Sequence, residues 1–320
     1  MNKPTKSLLL AALVALAPAA YAQAQLTDGV PETNPALITG STFNVDATNQ
    51  VPLSFTGDTT GATVSQINVL NGGQLSANNN NFDFTEININ SGGDTSNSIN
   101  IQNAELNVLP GGSLGSGLTV GPNSTLNVGS GVTDIGNNFT VAGTANINSG
   151  RHGVAFESLQ GSTVNIGGTA DIDGNGNVFA GVVNISGDAQ ISSSTDFTTT
   201  SNATVSGGTF GSNIDFDGGA SFTGGTFDSN FNINSTATGV VFDDTDGGVT
   251  IASGGEFFAP VTINGGNFTA SADFDPGSAG SIVNGGTFGN NVDINDDVTI
   301  NGGIFGTNTC LLYTSPSPRD

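Results

Sequence analysis

The chain has 320 residues, 48 of them glycine and none tryptophan, with 27 acidic residues against four basic ones and a net charge of −23. Phosphate binding needs clustered Lys and Arg, so this composition excludes a nucleic-acid partner and direct attraction to anionic lipid. A single cysteine excludes a disulfide framework, so stability must come from a repeated apolar core.

At the N-terminus, Lys3 and Lys6 precede an apolar run from Leu8 to Leu16, and Ala20-Tyr21-Ala22 supplies a small-x-small cleavage pattern. That order predicts a secretory signal peptide over residues 1–22, with an apolar run too short to anchor in a bilayer. Residues 23–60, with Pro31, Pro35 and Pro52, fit the downstream repeat poorly. They are expected to form an N-terminal cap, because a solenoid end must be shielded from edge pairing.

The marker of the repeat is the stretch Val164-Asn165-Ile166-Gly167-Gly168. Its second apolar residue recurs as Val69, Ile89, Val108, Val128, Ile147, Ile166, Ile185, Val205, Phe222, Phe242, Ile263, Val283 and Ile300, in steps of 17 to 21 residues. A unit this short cannot bury its apolar face alone, but stacked units form a continuous core. Apolar-polar-apolar triplets rich in Val and Ile favour strand over helix. Residues 61–309 are therefore expected to form an all-β, single-stranded parallel β-solenoid of about 13 coils, roughly 60 Å long at the spacing of stacked strands. In the second half Gly-Gly-x-Phe follows the marker, which predicts an internal column of Phe210, Phe227, Phe268, Phe288 and Phe305. Gly247 replaces that Phe after Phe242, so a bulge or loop is expected between Asp243 and Pro260.

Cys310 to Asp320 breaks the repeat and reads as a translated sequencing adapter, so residues 310–320 are expected to be an artefact. Any C-terminal anchor is then expected to be missing, and membrane attachment is expected only through such an anchor. Without the two ends, 26 acids face Arg151 alone, a net charge of −25. Such a surface keeps an exported protein soluble and attracts divalent cations.

Three candidate sites follow. The outward position of the marker strand is Asn in seven consecutive coils: Asn68, Asn88, Asn107, Asn127, Asn146, Asn165 and Asn184. These amides form either a self-bonded ladder or a polar face for extracellular glycans or cell-surface components. Asp171, Asp173 and Asn175, followed by Gly176, match the first half of an EF-hand-type calcium loop, but the twelfth position is Val182 instead of Glu. Calcium therefore stands as a possible cofactor beside the reading of an Asx-rich corner. Arg151-His152 is the one place where a guanidinium and an imidazole meet, and neighbours in a strand point to opposite faces. With no Lys between Lys6 and the C-terminus, the expectation is a protein that is not an enzyme; a polysaccharide lyase or hydrolase is the alternative.

The motifs Gly161-Ser-Thr-Val-Asn-Ile-Gly-Gly168, Thr204-Val-Ser-Gly-Gly-Thr-Phe-Gly211 and Val298-Thr-Ile-Asn-Gly-Gly-Ile-Phe-Gly306 resemble the Val-Asn-Ile-Ser-Gly-Gly repeats of bacterial exported β-helix proteins. Some of those carry a sorting signal of the PEP-CTERM type, and others are similar to autotransporter passengers and filamentous adhesins. The resemblance implies a secreted or cell-surface rod, structural or adhesive, on the outer membrane of a bacterium.

Overall fold

The computed structural model describes residues 23–25, 42–45, 51–52 and 65–311, apart from 77–79, 84, 96–97, 154, 193 and 245–247. The expected signal peptide, most of the expected cap and residues 312–320 lie outside the described residues.

The described regular structure is all β, and the fold is a parallel β-solenoid of about 12 turns. Each turn presents three narrow faces. Face A holds the marker strands, among them Glu105–Val108, Thr125–Val128, Thr144–Ile147 and Thr163–Ile166, paired residue for residue. Face B holds two-residue strands such as Arg151–His152, Asp171–Ile172 and Gln190–Ile191. Face C holds Phe139–Val141, Phe156–Ser158 and Ile214–Phe216. In the later turns the faces fuse, and Thr195–Phe210 runs along C, A and B as one strand with register shifts between Val205 and Thr209.

The period-2 alternation of the triplets explains the packing. In Thr163–Ile166 the apolar Val164 and Ile166 are buried while Thr163 and Asn165 are half-buried on the outside. The same alternation in successive turns stacks like residues at strand spacing and gives one continuous core, which ends before the last marker, Ile300, an exposed residue. Aromatic columns run through it. Phe197 stacks on Phe216 with centroids 4.3 Å apart, Phe210 on Phe227 at 4.4 Å, and Phe288 on Phe268 and Phe305 at 4.8 and 4.7 Å. The second glycine of each Gly-Gly-x-Phe turns the corner from face A to face B. Gly225 has φ 109°, and a Cβ there would lie 3.2 Å from the Gly207 carbonyl oxygen. The corner between B and C uses asparagine in the left-handed region instead, with Asn213 at φ 59° and Asn230 at φ 53°. Asn tolerates that region because its short amide bonds locally, and here Asn230 Nδ2 donates to Asn213 Oδ1 at 2.8 Å.

The Phe column is not continuous. Ile251, not a residue near Gly247, fills the place between Phe227 and Phe268. On either side of residues 245–247, which lie outside the described residues, the buried Asp244 carboxylate accepts from Gly248 N (2.8 Å) and Val249 N (2.7 Å). The irregularity expected up to Pro260 does not reach face C, where Phe257 is in register with Ile233 and Phe274.

Both ends of the described chain carry rungs outside residues 61–309. Phe43-Asn44-Val45 pairs in register with Ile67-Asn68-Val69. Cys310 and Leu311 pair with Asp293 and Ile294. Parallel pairing is a backbone interaction, so any residue that accepts extended geometry can add such a rung.

Candidate functional site

Face A carries the asparagine row. All seven predicted side chains are half-buried and outward, and they form an unbroken amide ladder. Nδ2 of each donates to Oδ1 of the one before it: Asn88 to Asn68 at 3.2 Å, Asn107 to Asn88 at 3.1 Å, Asn127 to Asn107 at 2.9 Å and Asn146 to Asn127 at 2.8 Å. Asn165 to Asn146 and Asn184 to Asn165 follow, both at 2.7 Å. The ladder extends one rung further than the predicted set, since Asn68 donates to Asn44 Oδ1 at 3.1 Å. The triplet Phe43-Asn44-Val45 was a signal for it, hidden by the 24-residue step to Val69. Each inner amide thus spends its oxygen and one N–H on its neighbours. After Asn184 the position passes to Thr204 and Ser221, and a second row starts one residue beyond the marker. There Asn264 donates to Asp243, Asn284 to Asn264 and Asn301 to Asn284, at 3.1, 2.9 and 2.8 Å.

Face B carries the candidate calcium residues and the one internal arginine. Ile172 points into the core, so Asp171 and Asp173 point outward, and Arg151 lies one turn away opposite Asp171. The Arg151 guanidinium forms an ion pair with Asp173 Oδ2, and its Nε donates to the same oxygen at 2.8 Å. Asp173 Oδ1 accepts from Ser192 Oγ at 3.1 Å. The hydrogen bond from Arg151, then that from Ser192, hold the Asp173 carboxyl below the ordinary carboxylate range. Asp171 moves the opposite way, raised first by burial and then by the Asp173 charge. A calcium ion on Asp171, Asp173 and Asn175 would have to displace the guanidinium from Asp173. Among the described residues, no three His, Cys, Asp or Glu side chains are grouped so as to hold a metal.

The turn after Asp173 is fastened by Asn177, a residue not among the predicted ligands. Asn177 is fully buried; its Oδ1 accepts from Phe156 N at 3.1 Å and its Nδ2 donates to the Gly174 carbonyl at 2.6 Å. His152 is separated from Arg151 by the pleat of the strand. It is fully buried between Phe139 and Phe156, with ring centroids 4.7 and 5.4 Å away.

Face C carries an acidic stripe that was not singled out in the sequence. Asp196, Asp215, Asn232, Glu256 and Asp273 occupy one outward column in successive turns. Burial, followed by Asp217 and Asp215, raises the Asp196 carboxyl. Burial also raises that of Asp273, with Asp293, Asp275 and Glu256 adding to it against one backbone N–H. Three backbone N–H groups, from Gly277, Asp297 and Ala279, lower Asp296.

These shifts have opposite signs in stability. A carboxyl raised in the folded state binds its proton there first, so acidification stabilises the fold between the folded pKa and the unfolded one. A lowered carboxyl contributes stability that is lost as pH falls through its folded value. Asp171, Asp196 and Asp273 act above the ordinary carboxylate pKa of about 3.9, and Asp173 and Asp296 act below it. The melting temperature is expected to rise from pH 7 towards about pH 4 and to fall below that. Calorimetric scans across this range check it, and a monotonic fall on acidification would contradict it.

No family model, curated protein or solved structure matches this chain.

Proposed function

We propose that the chain is an exported, non-enzymatic rod that serves as a structural or adhesive element outside a bacterial cell, secreted or held at its surface. The observation that carries this reading is the continuity of the ladders. The core runs through successive turns, and side-chain amides link one turn to the next on face A and at the corners, which supports a stiff, elongated body. The signal-like N-terminus, the strongly acidic composition and the resemblance to exported repeat proteins support the address. The test is to express the full chain in a Gram-negative host and ask two things. Antibody should label intact cells or the culture medium, and the purified chain should bind bacterial cells or matrix. Retention in the cytoplasm would overturn the address, and no binding to any surface would overturn adhesion.

A second reading, a carbohydrate-cleaving β-helix, is favoured by one observation. Asp171 and Asp173 lie on one outward face with their acidities pushed in opposite directions, beside Arg151. General acid and base pairs in glycoside hydrolysis are built from carboxyls separated in that way. Release of reducing ends from a neutral polysaccharide, abolished by Asp171→Asn, would establish it. Its absence leaves the rod.

A further inference from the structure

Two concavities lie end to end beside face B. The first, about 700 Å3, is lined by Asp94, Ser113, Ser116, Asp134 and Arg151. The second, about 510 Å3, is lined by Asp173, Gln190, Ser192, Thr209, Thr226 and Asp228. The Arg151–Asp173 ion pair stands between them, one partner in each lining. The second concavity alone runs from Asp173 to Ala252 over five turns, roughly 19 Å at the spacing of stacked strands.

We propose that this trough binds a linear, uncharged polysaccharide laid along the solenoid axis. The inference rests on the reading of the rod as a surface-binding element and supplies its site and ligand class. The lining is chemically suited to polyols. Gln190, Thr209 and Thr226 occupy one column in register, so an amide and two hydroxyls recur at strand spacing along the axis. Hydroxyl and amide groups both donate and accept, so this column can meet sugar hydroxyls in either sense. The lining also includes the small residues Gly211 and Ala252 and the buried Ile191 and Phe210.

Charge selects the class. Asp94, Asp134, Asp173 and Asp228 line the walls, and Arg151 is already paired, so a polyanion is repelled. Face A is the poorer candidate, because its amides are bonded to one another along the ladder.

The test is isothermal titration of the full chain with hexasaccharides of β-1,4-glucan, β-1,3-glucan and α-1,6-glucan, and with polygalacturonate as the anionic control. At least one neutral hexasaccharide is expected to bind and polygalacturonate is not. Thr209→Val and Thr226→Val keep strand shape and remove one hydroxyl each. Each is expected to weaken binding about 3- to 10-fold, with the double variant weaker still. Thr204→Val, on face A, is expected to leave it unchanged. No binding by any neutral hexasaccharide overturns the proposal, as does binding that the two valine variants do not alter or that polygalacturonate matches. If the wild-type chain binds cells but the valine variants bind them equally well, the trough is wrong and the adhesive reading stands. If the wild-type chain binds no surface, the adhesive reading fails with it.

Discussion

Phe222→Ala is expected to destabilise the solenoid by about 3–5 kcal/mol, the range for emptying a fully buried phenylalanine site. The ring is inaccessible to solvent and stacks on Phe242 at 4.6 Å. It also meets Phe216, Phe227 and Phe231 edge-on at 5.0, 5.5 and 5.7 Å. Those four neighbours come from the same turn and the turns on either side, so no single side chain can swing in to fill the gap. Coils are coupled mainly to their neighbours, and the damage should be correspondingly local. Hydrogen exchange should accelerate around Phe216 to Phe242 and stay slow at Asn107 to Ile147. Urea unfolding followed by hydrogen exchange checks both parts. A loss below about 1 kcal/mol, small for any emptied core site, would show that the aromatic columns do not bear the core. Phe305→Ala is the internal control, because Phe305 is only half-buried and stacks on one side.

Asn177→Ala should cost about 1–3 kcal/mol, because it leaves the Phe156 N–H and the Gly174 carbonyl without their partner in a dry interior. The expected signature is a lower melting temperature with the circular dichroism of β-structure retained. Asp173→Asn, which breaks an exposed ion pair, should cost less, since such pairs contribute little in solvent. The two variants also separate the readings of this loop. If side-chain bonds of Asn177 order it, EDTA leaves the melting temperature unchanged and Asn177→Ala lowers it. If a calcium ion on Asp171, Asp173 and Asn175 orders it, EDTA lowers the melting temperature and Asp173→Asn is the more damaging change.

Much of the fold is legible without coordinates because the repeat is strict. The alternation in Leu106-Asn107-Val108 and Leu126-Asn127-Val128 decides which side chains are core, and the constant step decides that equivalent residues stack. What escaped was set by pairing between turns. The rung at Phe43-Asn44-Val45 was obscured by a long step, and the acidic column on face C by the different residues that separate its members. Ile251 took the place between Phe227 and Phe268 because the core selects an apolar residue of suitable reach at that register.

The site followed the same division. From sequence, the asparagine row is a column on one face and Asp171, Asp173 and Asn175 are a run of oxygen ligands. Only the tertiary structure decided that the asparagines bond to each other, because Oδ1 and Nδ2 of adjacent rungs come within 2.7 to 3.2 Å. Only it placed Arg151, 22 positions before Asp173 in the chain, against that carboxylate, and sent the adjacent His152 into an aromatic core. The sequence by itself determined the period, the inward residues and the acidic charge, since these depend on alternation and composition. The tertiary structure decided which outward side chains meet, since that depends on the register of one coil on the next.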